Sequence, residues 1–366
     1  MSTRKKDTHT TAEKLEFHVI PRATRIVPNA VEKKVTGKDY IFYGDDNDFP
    51  SYLWNLYLKS PISSGIINGT IDFVAGNGVN WIHSNGKVNR EGDNIDDLVR
   101  KLATDYMIYG GFAVQIIRNK LGEISELYWL DMQNIRTDED ETKYYYSKNW
   151  NKYGSKAVVY EKFDPKQQQP TSIYYYKGHL TRGVYPVPTY VGGLAAIETS
   201  TEIGKFHLNN IINNLSSSAV INFNNGIPTK DEQKQIEKKV KDKFAGADNA
   251  GKFIISFNDN KESATTIERL AEDRMDEKFQ TLDKSTTQNI FISFRATPEL
   301  FGMSTEGNGF SKAEYEESFE LYNKTVVKPM QKVISRCFDY IYGTDNTISF
   351  IPFTLSDEPN KSENEE

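Results

Sequence analysis

The 366-residue sequence predicts an α+β subunit of elongated form. Three observations predict it. Two long helical patterns, 194–218 and 268–295, bracket a short strand–helix–strand unit, an arm with little core of its own. A period of two replaces the helical period at 112–130, so strands accompany the helices. A third long helical pattern, 312–342, follows a glycine-containing loop and carries Pro329 inside it. A proline there removes one backbone hydrogen bond, and its ring meets the carbonyl four residues back, at Thr325. A helix whose apolar stripe continues past such a proline is kinked rather than ended.

Residues 1–36 are polar, mixed in charge and without period, as a mobile arm would be. Order is expected from 40–44, followed by the turn YGDDNDFP and a helix from about Ser51. The acidic cluster lacks the glycine at position six and the glutamate at position twelve of a calcium loop. Its carboxylates are read as turn and helix N-cap groups facing the helix dipole. Helix 52–75 is interrupted near Ser60 and Pro61 and ends at Gly76-Asn77-Gly78, with Ile62, Ile66, Phe73 and Val74 as its apolar side. A second helix, 94–109, carries Ile95, Leu98, Leu102 and Met107 and closes at Gly110-Gly111. Strand 112–118, turn 119–122 and return strand 123–130 follow, then short strands at 143–147, 156–161 and 172–176. The tyrosine triplets at 144–146 and 174–176 fit a base-stacking surface. Tyrosine is also an ordinary strand residue with a wet edge. No arginine interleaves them, which favours the structural reading.

On helix 194–218 the residues Ile197, Thr201, Gly204, Leu208, Ile211 and Leu215 form one packing seam. Its last turns carry Asn209, Asn210, Asn213, Asn214 and Ser217 on another face, polar yet uncharged. The bracketed unit reads as strand 219–223, a capping box from Thr229 to Glu232, helix 231–245 and strand 252–257. The helix mixes Lys234, Lys238, Lys239, Lys241 and Lys243 with four acids, which is the pattern of a solvated face. The returning helix shows the seam Met275, Phe279, Leu282, Thr286 and Ile290. The last helix lines up Tyr315, Phe319, Tyr322, Val326, Val333 and Cys337, before a strand at 348–355 and an acidic tail.

Composition narrows the function. Apolar residues make up 37%, enough for a core and against wholesale disorder. A net charge of −6 argues against a protein that grips DNA phosphates tightly. The lone Cys337 excludes an internal disulfide, and the histidines show no metal spacing, so neither metal nor cofactor is expected. Arg4-Lys5-Lys6 leads into polar residues, so no signal peptide is expected. No apolar run approaches the ~18 residues needed to cross a bilayer. The motifs GxxxxGKS/T, GxSxG, HExxH and CxxC are absent, and no enzyme is expected. A carboxylate hydrolase stays open as an alternative, because catalytic acids can lie far apart in a chain.

Several passages, in order, resemble the tailed-phage portal protein family over about residues 40–342. They are YGDDNDFP before the first helix, YGGFAVQIIRNKLG with ELYWLDMQNI, GLAAIETSTEIGKFHLNNIINN, the unit at 219–267, and FRATPELFG with the loop after it. The resemblance implies an elongated portal-type subunit. Its parts would be an arm (1–36), a mixed α/β wing (37–193), a first stem helix (194–218), a β-α-β clip (219–267), a second stem helix (268–296), a tunnel-loop region (297–311), a kinked channel helix with return strand (312–356) and a tail (357–366). It implies a homo-oligomeric ring of ~12 subunits at one capsid vertex. DNA would be packaged and ejected through it. The implied partners are the terminase large subunit, the major capsid protein, a head–tail adaptor and double-stranded DNA passing without sequence specificity, with no membrane. The expected location is the virion, after assembly in the host cytoplasm. The channel loop would comprise Ser304, Thr305, Glu306, Gly307, Asn308, Gly309 and Phe310. Asn209, Asn210, Asn213 and Asn214 would face the channel; Lys234, Lys238 and Lys241 would dock motor or adaptor; Pro329 would kink the helix. The short stretch after residue 342 departs from the pattern, so a crown is expected to be minimal or missing. Another ring component of the head–tail connector is the alternative within the same class.

Overall fold

The computed structural model describes residues 31–83, 86–150, 156–212, 220–223, 228–244, 254–257, 275–303 and 311–354. Strands β1 (Glu32–Lys34) and β2 (Ile41–Tyr43) lead to helices α1 (Phe49–Lys59) and α2 (Pro61–Ala75), strand β3 (Val79–Trp81) and helix α3 (Ile95–Tyr109). Six strands follow: β4 (Gly111–Arg118), β5 (Ile124–Leu130), β6 (Ile135–Thr137), β7 (Lys143–Tyr146), β8 (Val158–Glu161) and β9 (Thr171–Lys177). Helix α4 (Leu194–Ile212) precedes β10 (Val220–Phe223), α5 (Lys230–Phe244) and β11 (Ile254–Phe257). Helices α6 (Met275–Phe294), α7 (Lys312–Tyr322) and α8 (Lys328–Tyr342) and strand β12 (Ile348–Phe350) complete the order. The α+β class expected from the sequence is the class observed.

Local chemistry accounts for the helix boundaries. Ser60 caps α2 by accepting from the Ser63 amide, and Pro61 takes the first helical position, where a missing N–H costs nothing. The interruption at Pro61 therefore starts a second helix. Asn94 and Asp97 form a reciprocal capping box on α3, and Gly110 ends it at φ 82°. A side chain at Gly110 would also meet the Val187 carbonyl 2.3 Å away, so the position is closed to other residues twice over.

The core lies where α2, α3 and α8 meet β4. Val74, Leu98, Leu102, Phe112, Val114, Ile334 and Phe338 are fully buried there. Burying side chains of this size contributes about 1.5–3 kcal/mol each. The predicted β4–β5 hairpin forms, and β4 takes β9 as its other neighbour in the sheet β5-β4-β9. A second antiparallel sheet has the order β6-β7-β8. The tyrosine triplets serve these sheets. Tyr144 is buried and stacks on Tyr175 at 5.0 Å, and Tyr176 stacks on Phe112 at 5.1 Å. They are sheet packing, not an open stacking surface.

The turn YGDDNDFP works through its asparagine rather than its acids. Asn47 adopts φ 60° and accepts from the Tyr43 amide and from Arg136 Nε. Arg136 is buried and donates further to the carbonyls of Asn47, Gln133 and Ile135. Its guanidinium lies over the rings of Trp150 and Tyr43, at 5.1 and 5.8 Å. Asp48 occupies the N-cap position of α1 but makes no side-chain cap bond, a correction to the capping role expected of these carboxylates.

Two further expectations need adjustment. Residues 32–34, placed in the polar arm, form β1, because Glu32 accepts from the Tyr185 amide and β1 pairs antiparallel with β2. Thr229 and Glu232 make half a capping box: the Thr229 amide and hydroxyl both donate to the Glu232 carboxylate, at 2.9 and 2.8 Å. The strand–helix–strand unit itself forms as read, with β10 and β11 parallel from Val220↔Ile254 to Phe223↔Phe257 and α5 between them in sequence.

Candidate channel element

The passage from α6 to α8 is where the sequence placed the channel-facing loop. Helix α6 ends at Arg295, which adopts φ 56° with no glycine to relieve it. The Ala296 amide donates to the Phe291 carbonyl and the Arg295 amide to that of Ile292, each at 3.0 Å. These are the two bonds of a Schellman cap. Thr297 is extended before Pro298, as the residue before a proline must be. A single 3-10 turn, Pro298–Phe301, follows and closes at Gly302 with φ 80°.

Phe301 fixes this turn to the body. Its ring lies over Gly69 of α2, where a Cβ would come within 2.9 Å of Phe301 Cε1. Only glycine lets the ring approach so closely. Around it lie Phe73 at 6.1 Å, Tyr322 at 5.6 Å and Phe291 at 6.4 Å, centroid to centroid. Phe319 and Phe353 extend the cluster on the other side of Phe73. The polar end of Tyr322 shares a 2.7 Å hydrogen bond with the Thr70 hydroxyl. Burial raises the Tyr322 hydroxyl to about 12, so it stays protonated. Both ends of the loop are thus held on α2.

Beyond the loop, Ser311 and Glu314 close a reciprocal capping box and start α7. The spacing Ser-x-x-Glu was present in the sequence as a signal for this start. The helix runs on through a π turn, Asn323–Val327, in which the Lys328 amide reaches back five residues to the Asn323 carbonyl. Pro329 follows at the start of α8. The wider turn inserts one residue just before the proline, whose ring in a regular helix would meet the carbonyl four residues back. It also shifts the apolar line: past Val326 the buried apolar residues are Val327, Met330, Ile334, Cys337, Phe338 and Ile341, so Cys337 is buried as read from the sequence while Val333 is only half buried. The straight line read through Val333 ignored the inserted residue.

The other candidate residues are placed as follows. The loop residues Ser304, Thr305, Glu306, Gly307, Asn308, Gly309 and Phe310 lie outside the described residues. So do Asn213 and Asn214 and the side chains of Asn209 and Asn210, whose backbone belongs to α4. Lys234 and Lys238 are exposed on α5, and the Lys241 side chain is outside the described residues. Among the described residues no cluster of potential metal ligands occurs, and no helix is long and apolar enough to cross a membrane.

The α4–α6 pair descends to this element. At its base Gly193 sits where a Cβ would be 2.3 Å from Ser293 Oγ, and Tyr190 stacks on Phe294 at 4.5 Å. Farther out, Phe206 and Phe279 stack at 4.6 Å and line an open groove with Ile203 and Leu282.

Comparison with known proteins finds similarity at two scales, part of the chain in sequence and most of it in fold. An uncharacterised protein of Rickettsia bellii is 24% identical over 152 residues, 41% of this chain and 38% of that protein's length. A chain in the neck of a native gene transfer agent particle, computed with C12 symmetry, superposes with a TM-score of 0.56 at 15% identity, covering 85% of each chain. An HK97-family phage portal protein from Corynebacterium diphtheriae, at 13% identity, gives 0.48 over 82% of this chain and 94% of its own. The model of the family described as phage portal protein matches residues 90–357, well over half of the sequence, and this chain belongs to that family.

Proposed function

We propose that the chain is the subunit of a closed portal ring of ~12 copies in a phage-like head, through which double-stranded DNA enters and leaves. The observation that carries this reading is the family match across residues 90–357. The exposed apolar outer half of the α4–α6 pair supports it, since a head-to-tail neighbour would cover it. The ring belongs to the virion, with assembly in the host cytoplasm, and acts as a structural conduit; packaging energy comes from a separate motor. Residues 304–310 contact the moving DNA by steric fit and hydrogen bonds, Glu306 being their one charge. Asn209, Asn210, Asn213 and Asn214 give the wall polar groups that do not hold phosphates. The exposed Lys234 and Lys238, with Lys241, dock the terminase large subunit and later the head–tail adaptor, while the wing meets the major capsid protein.

Negative-stain imaging of the purified protein tests the ring: closed rings are expected, and a stable 41.8 kDa monomer at micromolar concentration contradicts the reading. Deleting residues 306–308 is expected to leave rings intact and to reduce packaged or retained DNA. Particles that fill and hold full-length genomes with this deletion would remove the loop from the account. Reversing Lys234 and Lys241 to Glu is expected to weaken motor docking without disturbing rings.

A further inference from the structure

Arg295 occupies a backbone conformation that favours glycine, φ 56° at the end of α6. An arginine there bears a backbone strain that glycine would not. Its Nη1 lies 3.5 Å from the carbonyl oxygen of Thr325, at the long limit of a hydrogen bond. That carbonyl is the one a regular helix would offer to the amide of residue 329, which is proline and has none. Thr325 lies inside the π turn Asn323–Val327, and Pro329 follows that turn at the start of α8. Both flanks of the turn are anchored to α2: Tyr322 through Thr70 on one side, and Gln331 Nε2 through the Val74 carbonyl at 2.9 Å on the other. The inserted residue turns α7 by roughly 100° relative to a straight continuation of α8. That rotation puts Phe319 and Tyr322 toward α2 and leaves Leu321 exposed.

We propose that Arg295 is a positioning residue that holds this π turn in place. It supplies the donor that Pro329 lacks, and so sets which face of α7 turns toward α2. The end of α6 and the phase of α7 are thereby tied at one point. The tie concerns the joint alone and holds whether or not the chain assembles into rings.

Amide hydrogen exchange on the full chain tests it, because substitution at 295 separates the two roles of the residue. Arg295→Gly removes the guanidinium but fits φ 56° without strain. Amides of residues 321–328 are expected to exchange on the order of tenfold faster, while the last turn of α6, residues 289–294, is unchanged or slower. Arg295→Lys, which keeps a donor, is expected to fall between the two. Adding Pro329→Ala to Arg295→Gly restores an amide for the Thr325 carbonyl and is expected to return protection to the joint. Pro329→Ala alone, with Arg295 retained, is expected to slow exchange there. The proposal is overturned if Arg295→Gly leaves residues 321–328 unchanged, or if the loosening persists undiminished when Pro329→Ala is added.

Discussion

The two ends of the α4–α6 pair carry the same helical period and meet opposite fates. At the base, Ile197 and Ile290 are fully buried, and Phe294 is covered by Tyr190. At the outer end, Leu208 is 55% exposed and Leu282 is 44% exposed, although both sit on the seams that run down from the base. A seam states that a helix has a partner; it does not state that the partner is in the same chain. The base finds its partners in α1, α2 and the turn at 190–193. Among the described residues the outer end meets the other helix of the pair, with Phe206 against Phe279.

This contrast can be sharpened by substitution, beginning with the body. Phe338→Ala on α8 empties a fully buried site and is expected to cost about 3–5 kcal/mol, read from denaturant unfolding. Gly69→Val forces Phe301 off α2 and is expected to cost about 1–3 kcal/mol by overpacking. Of that pair of positions the first removes a contact and the second blocks one, so both should lower stability without reference to any neighbouring copy.

A smaller effect is expected from pH. Asp105 is buried and accepts from Trp129 Nε1 and the Met132 amide, at 2.8 and 3.2 Å. Burial, reinforced by the Asp131 carboxylate, holds its carboxyl well above the usual range. The folded chain therefore keeps a proton over a range in which the unfolded chain has lost it. The stability linked to this proton is fully present below the unfolded value of 3.8 and is lost as pH rises through the folded value. Asp105→Asn keeps an acceptor for both donors and removes the titration. Its denaturation midpoint is expected to vary less with pH than that of the wild type, with the largest relative gain at the alkaline end.

The sequence carried the local part of this architecture and missed what depends on distance. Gly110, Ser60 with Pro61, and the hairpin turn at 119–122 announced boundaries that the structure keeps, because each acts on its own few residues. The pairing of β4 with β9 was not legible, since nothing in Thr171–Lys177 names its neighbour. In the candidate channel element the helices on either side of the loop and the place of Pro329 at an irregular turn were legible. The π turn was not, because an inserted residue leaves the apolar pattern plausible on either side and shows only in which of Val333 and Ile334 is buried. Arg295 was missed although a signal existed: FRATP ends an apolar helix without the glycine or asparagine that such an end usually carries. Asp105 looked like any helical acid, and its burial arises from the strand that brings Trp129 over it.

In the ring proposed above, neighbouring copies complete the outer seams of α4 and α6. The substitution with the least effect on the fold tests it most directly. Leu208→Asp combined with Leu282→Asp changes two exposed positions and is expected to shift the unfolding midpoint of the subunit little, by about 0.5 kcal/mol or less at each position. Light scattering of this variant beside the wild type is the measurement. The account predicts a large ring for the wild type and a folded species near 41.8 kDa for the variant. A variant that still forms full rings would contradict it.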